Sequence, residues 1–369
     1  MIQGWLRRCF WLGAMALLAA APSPWAKTVV NPPTVDAQAA ILINADTGTI
    51  LYEKNAFRQM DPASLTKIMT AILVIKAGHL DREVPVSSRA AYVEGSKLHV
   101  HPGQRYSVLD LLRGLLLRSG NDAAIALAEA DAGSVEGFVA KMNAQAQALG
   151  AFNTRFQNPN GLTGSGHYTD AYDLSLIART AMTLPQFRAI VASREQEITE
   201  RKSGAKRTIR TTNRLLYEVP GADGVKTGTT QAAGKCVIAS ASRDGTRLIA
   251  VVLKSQNRWQ DANLLLAYGF SAWTTRTVYR LGQTVADASV IGGRDDWVPL
   301  VTMASARVSL PKGDEVTVVE QVPRRLKAPV RKKPVGYVYV IADDQQPIRI
   351  PVEPQQSVPL NRIPRFWRN

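Results

Sequence analysis

Cysteine is nearly absent from this chain. Two occur in 369 residues, Cys9 and Cys236, and Cys9 falls in a leader expected to be removed. One remaining thiol cannot close an intramolecular disulfide, so the mature fold has to be held by burial. Cys236 lies in the strand-like run "AGKCVIASA", where a buried, chemically quiet thiol is expected. Histidine is almost as scarce, with only His79, His99, His101 and His167. The His99 and His101 pair has no cysteine or acidic cluster beside it to complete a metal site. The chain also lacks a GxSxG elbow, an HExxH zinc helix and a GxxxxGK[ST] phosphate loop. Without an elbow nothing singles out a histidine as a base for serine, and His167 reads as a structural hydrogen-bonding residue. Metal hydrolysis and a Ser–His triad are thereby set aside.

Long apolar runs are missing too. The stretch from Cys9 to Ala21, behind Arg7 and Arg8 and ahead of small residues and prolines, is too short for a comfortable membrane span. It has the layout of a secretory signal peptide over residues 1–26. Export changes the meaning of the charge. Lysine and arginine number 45 against 30 acids, a net +15, or +13 without Arg7 and Arg8. Outside the membrane the available polyanions are lipid headgroups and wall polymers, so nucleic acid is not an expected partner.

What is present is a set of alternating patterns. "AAILINADTGTILYEKNA" reads as a hairpin turning at Asp46-Thr47-Gly48. In "QMDPASLTKIMTA", Asp61 is the expected N-cap, Pro62 the first helical residue, and the helix stops near Gly78. Two helical pieces are expected from Ser107 to Ala130, interrupted at Ser119-Gly120-Asn121, then helices over Val135–Leu149 and Ala171–Met182. "GADGVKTGTT", "KCVIASAS" and "RLIAVVLKS" are strands, the last two paired through Arg243-Asp244-Gly245. A final helix, about Trp259 to Ala267, precedes Gly269. After about Thr274 short alternating strands take over. The expected domains are residues 27–273 and a β-rich 274–358, with a basic and aromatic tail over 359–369. The basic stretch from Pro323 to Pro334 reads as a solvated strand face or loop.

Ser64 and Lys67 are three apart, so on one helix face the amine can reach the hydroxyl. A serine needs a base, and a lysine serves only if its pKa is lowered by desolvation or a neighbouring cation. SxxK alone is common by chance. It is accompanied here by Ser119 and Asn121 in "RSGNDA" and by Lys226, Thr227, Gly228 and Thr229 in "GVKTGTT". Gly228 would let a ligand backbone approach, while Lys226 and the threonines could hold a carboxylate.

This ordered set resembles that of class A β-lactamases and penicillin-binding proteins. The chain most resembles low-molecular-mass penicillin-binding proteins that are serine-type D-Ala-D-Ala carboxypeptidases. "LYEKNA", "PASLTKIMTA", "LLLRSGNDAA", "NPNGL", "ADGVKTGTT", "RLIAVVL" and "LKAPVRKKPVG" carry the likeness. The resemblance implies an α/β (α+β) transpeptidase-like domain, an antiparallel sheet flanked by helices, plus a small C-terminal all-β domain. It implies no metal or cofactor, a substrate of peptidoglycan stem peptides ending in D-Ala-D-Ala, and inhibition by β-lactams. Ser64 would be the nucleophile, Lys67 the general base and Ser119 the proton relay. Asn121, Lys226, Thr227, Gly228 and Thr229 would bind substrate, with the backbone N–H groups of Ser64 and Thr229 as oxyanion hole. Lys226 would also help keep Lys67 neutral.

Two departures stand out. Many family carboxypeptidases have histidine where this chain has Thr229, and most end in an amphipathic anchoring helix. Here "SVPLNRIPRFWRN" sets Pro359 and Pro364 too close for one. An extracytoplasmic or periplasmic enzyme in weak contact with an anionic membrane or wall is expected. A D,D-endopeptidase is the alternative, with "SGN" favouring the carboxypeptidase. A β-lactamase and a silent wall-binding protein rank lower.

Overall fold

A computed structural model describes residues 30–342 and 345–361. The expected leader, with Cys9, and the tail beyond Asn361 lie outside the described residues.

The N-terminal part of the described chain is built on one antiparallel sheet. Its strands are β1 (Ala39–Asn44), β2 (Ile50–Lys54), β3 (Ala222–Thr230), β4 (Gly234–Arg243) and β5 (Thr246–Leu253), in the order β2-β1-β5-β4-β3. Both faces are covered, which explains the near-continuous apolar runs. In β1, Ala39, Ile41 and Ile43 enter one core while Ala40 and Leu42 enter the other. In β4, Cys236 and Ile238 face the first core, and Val237, Ala239 and Ala241 the second. This is the period of two of an extended strand.

The first face carries α1 (Lys67–Ala77), α2 (Val108–Leu117), α3 (Asn121–Ala132), α4 (Val135–Ala148) and α5 (Ala171–Ala181). Ser107, Ser134 and Asp170 cap α2, α4 and α5 by accepting backbone N–H bonds. The second face carries α6 (Arg258–Ala272). This helix passes straight through Gly269, expected as a stop, because the missing side chain is what the packing uses. A Cβ there would stand 2.5 Å from Leu248 Cδ1 and 2.8 Å from Leu42 Cδ2.

Asp61 does not cap the first helix. Residues Ala63–Thr66 form a 3₁₀ turn that follows Pro62, with no side-chain cap, and α1 begins only at Lys67. Short pieces absent from the periodic reading also occur. They are a hairpin over Glu195–Thr199 and Lys206–Arg210, and helices at Ser88–Ala91, Pro185–Val191 and Leu215–Glu218.

Past α6 the chain is all β. β6 (Trp273–Tyr279) pairs with β9 (Ala306–Pro311). β7 (Thr284–Ile291), β8 (Trp297–Thr302), β10 (Thr317–Gln321), β11 (Arg325–Lys327), β12 (Gly336–Ile341) and β13 (Ile348–Pro354) form a second sheet, ordered β10-β12-β13-β8-β7-β11. The two enclose their own core, including Val298, Leu300, Val338 and Val352. A polar seam joins this unit to the part built on the first sheet. Asn44 Nδ2 donates to Thr275 Oγ1 at 2.8 Å, Thr49 Oγ1 to Gln345 Oε1 at 3.2 Å, and Arg307 pairs with Asp46 at 2.5 Å. Among the described residues no helix is long and apolar enough to cross a membrane.

Gly269→Val should lower stability. Its gain in helix propensity is below about 1 kcal/mol, whereas overpacking a filled core costs about 1–3 kcal/mol. A urea midpoint equal to or above that of the unaltered chain would contradict the close packing of α6.

Candidate active site

The 3₁₀ turn matters for chemistry. With three residues per turn it stacks side chains i and i+3 directly over one another, so Ser64 lies over Lys67. Lys67 Nζ donates to Ser64 Oγ at 2.8 Å. Two further acceptors complete the shell: Asn121 Oδ1 at 2.7 Å and the Asn160 carbonyl at 2.5 Å. The lysine is fully buried. Desolvation, then the Lys226 charge, holds its pKa well below the ordinary lysine value, partly opposed by Asp122.

Asn121 is oriented rather than free. Its Nδ2 donates to the Glu94 carbonyl at 2.5 Å, which turns Oδ1 toward Lys67. Its backbone N–H bonds the Ser96 carbonyl. Ser119, two residues earlier, holds a left-handed φ of 60° and is nearly buried. Its hydroxyl is not hydrogen-bonded to Ser64 or Lys67 among the described residues. It shares the α2–α3 break with Asn121.

β3 is the edge strand and runs against the serine turn. A Cβ on Gly228 would stand 3.1 Å from Ala63 Cβ and 3.2 Å from the Ser64 nitrogen. A side chain there would be tight against the serine turn, and glycine eases this close approach of the strand. Lys226 is buried and donates from Nζ to its neighbour's carbonyl, Thr227, at 2.7 Å. Burial, then Arg258, lowers its pKa to about 7. Thr227 Oγ1 meets Thr212 Oγ1 at 3.0 Å, and Thr229 is exposed at the strand's end.

Sequence reasoning gave no role to three contributors. Arg258 Nη1 lies 2.9 Å from both the Gly228 carbonyl and Thr229 Oγ1, with its guanidinium 4.6 Å from the Trp259 ring centroid. A signal existed: a cation at the first residue of a helix opposes the macrodipole and needs another reason to be there. The second is the loop Asn158–Leu162. Asn158 Oδ1 accepts from the N–H groups of Asn160, Gly161 and Leu162, and the Pro159 carbonyl accepts from Thr70. Gly161, at φ 87°, abuts the Ala63 carbonyl, where a Cβ would come within 1.9 Å. Third, Asp122 accepts from the N–H groups of Leu98 and Val100, tying that loop to the start of α3.

His167 is structural, as expected. Its Nδ1 accepts from the Gln157 N–H at 3.0 Å, so Nε2 carries the proton to Thr66 Oγ1 at 2.9 Å. Burial lowers its pKa to about 4. Cys236 is fully buried and its thiol pKa is pushed up to about 11 by desolvation. No cluster of metal-ligating side chains occurs among the described residues.

The two lysines make stability pH-dependent. A folded pKa below the unfolded one means the unfolded chain binds more protons across the interval, so stability rises with pH there. For Lys226 that interval runs from about 7 to the ordinary 10.5. Lys226→Met should melt above the unaltered protein at pH 7, with the gap closing as pH approaches 10.5. An equal gap at both ends would contradict it. Gly161→Ala should displace the serine turn, and slow any reaction that uses the Ser64 hydroxyl at least about tenfold for a shift of this size. An unchanged rate would count against the contact.

The pattern that describes the D-alanyl-D-alanine carboxypeptidase family matches residues 26–257. That of the penicillin-binding protein 5 C-terminal domain matches residues 273–359. The chain is 36% identical over 332 residues to the D-alanyl-D-alanine carboxypeptidase DacF of Bacillus subtilis, covering 86% of this chain and 85% of that protein. It is 36% identical over 318 residues to DacC of Escherichia coli, covering 82% and 78%. Among solved structures, penicillin binding protein 5 from Haemophilus influenzae superposes with a TM-score of 0.77 at 30% identity, covering 90% of this chain and all of that one. The Streptomyces K15 DD-transpeptidase gives 0.63 at 36% identity, covering 66% of this chain and 100% of that one. The Ser64–Lys67 pair, with its buried lysine, and the edge strand therefore belong to a member of the D-alanyl-D-alanine carboxypeptidase family of serine peptidases.

Proposed function

We propose that this serine-type D-alanyl-D-alanine carboxypeptidase works through an acyl-enzyme on Ser64, with Lys67 as its base. The observation that carries the assignment is the set of three polar partners around the buried Lys67 amine, two of which can only accept. A neutral amine has two N–H bonds and one lone pair. Asn121 Oδ1 and the Asn160 carbonyl can only accept, so they take both N–H bonds. The lone pair is left for the Ser64 hydroxyl at 2.8 Å.

The substrate is a peptidoglycan stem peptide ending in D-Ala-D-Ala, and β-lactams compete for the same serine. Ser64 Oγ attacks the penultimate D-Ala carbonyl while its proton passes to Lys67. The N–H groups of Ser64 and Thr229 stabilise the oxyanion, and the approach allowed by Gly228 supports that assignment. Ser119 relays a proton to the leaving D-Ala amine, and Asn121 binds the substrate amide while orienting Lys67. Lys226, Thr227 and Thr229 hold the terminal carboxylate. The concentration of positive charge on Lys226 and Arg258 supports this, and Arg258 positions Thr229 through its hydroxyl. Water then releases the shortened peptide. The work takes place in the extracytoplasmic wall space, with the net charge of +13 without Arg7 and Arg8 favouring contact with an anionic membrane or wall surface.

A fluorescent penicillin should label the unaltered protein covalently and Ser64→Ala not at all. Equal labelling would sink Ser64 as nucleophile. Free D-Ala should appear from a D-Ala-D-Ala peptide while a cross-linked dimer stays intact. Loss of the dimer instead would assign an endopeptidase. The kcat/KM profile should be bell-shaped, falling at low pH as Lys67 is protonated and above about pH 7 as Lys226 loses its charge. Lys226→Arg keeps its charge and should remove the alkaline limb. The same limb in both proteins would free Lys226 from that role.

A further inference from the structure

The far end of the β-domain has a surface that catalysis leaves unused. The register fixes which end this is. β13 begins at Ile348 beside Gln345, which bonds Thr49 and Ser309 at the seam. It runs away to Pro354, which pairs with Leu300, and Trp297 lies further still along β8.

At that end Trp297 is 61% exposed, Ile291 59% and Leu360 55%. They are neighbours. Trp297 pairs with Ser289, which pairs with Arg325, so the three share one row on the outer face of the sheet. Ile291 pairs with Lys327 in the next row, and Leu360 bridges to Gly293 at the adjoining turn. Around them stand the exposed cations Arg294, Arg324, Arg325, Lys327, Arg331 and Lys333. The acids of this turn are Asp295 and Asp296, and Glu353 is already paired with Lys332.

We propose that this face docks the folded β-domain directly on an anionic lipid bilayer. The inference rests on the extracytoplasmic reading above and names the surface that makes the contact. Cations within a Debye length of anionic headgroups attract them. An indole and two aliphatic side chains suit the boundary between headgroup and acyl chain. An anionic wall polymer would satisfy the cations but offer the exposed Trp297, Ile291 and Leu360 no apolar phase, which favours lipid. Docked in this way, the seam and the catalytic part stand off the membrane, on the wall side.

The test is co-sedimentation of the full chain, purified from the exported fraction, with phosphatidylglycerol–phosphatidylcholine vesicles and with pure phosphatidylcholine vesicles. Binding should need the anionic lipid and weaken with salt. The triple variant Arg324→Glu, Arg325→Glu, Lys327→Glu should lose more than about tenfold in partitioning, since each cation near the surface is worth about fivefold. Trp297→Ser with Ile291→Ser should lose about tenfold and keep the salt dependence, which separates the folded face from the tail beyond it. Unaltered binding by either variant, equal binding to neutral vesicles, or binding to lipid-free wall material alone would overturn the proposal. D-Ala release in solution should be the same in all variants and reports that they fold. Its absence even from the unaltered chain would refute the carboxypeptidase reading and leave the vesicle result standing.

Discussion

A lysine amine kept out of water is the constraint to which the rest of this site answers. Protonated Lys67 would be useless as a base, and at neutral pH an exposed lysine is almost always protonated. Burial supplies the largest downward push and the Lys226 charge the next. A second buried cation is unfavourable for folding, yet it serves both ends of the reaction as proposed: repelling a proton from one amine and attracting a carboxylate. The site is destabilising by construction, as functional clusters often are.

Holding that amine takes groups from three parts of the fold. The 3₁₀ turn stacks Ser64 on Lys67, the α2–α3 break brings Asn121, and the Asn158–Leu162 loop brings a carbonyl. Each is pinned in turn. Glu94 orients the Asn121 amide, Asn158 ties the loop to itself, and Gly161 lets the loop lie against Ala63. The edge strand closes the other side at Gly228, and Arg258 ties the end of that strand to α6. Ala63 and Ser119 both take left-handed φ values beside the reacting groups, and local strain of this kind gathers where surrounding contacts over-determine it.

Much of this was legible in advance. The hairpin at Asp46–Gly48, the helix break at Ser119–Asn121 and the strands around Arg243–Gly245 each have short-range causes, so pattern alone locates them. Asp61 was misleading because a Pro followed by a tight turn leaves the capping position empty, and Gly269 because glycine marks close packing as readily as a stop. The hairpin at Glu195–Arg210 and the short helices are held by tertiary contacts with little periodicity of their own. The Asn160 carbonyl could not be read at all, since every residue has one.

The amino-acid sequence by itself determined which groups are available for chemistry: one serine with a lysine three residues on, a hydroxyl and an amide around a glycine, and a Lys-Thr-Gly strand. It also determined the alternating and helical faces that bury both sides of the sheet. Only the tertiary structure decided the state of those groups. A pKa depends on the water excluded and the charges brought near, and Lys226, Asn160 and Arg258 reach the Ser64–Lys67 neighbourhood from distant parts of the chain. Spacing along the chain sets what can meet; packing sets the dielectric in which it meets.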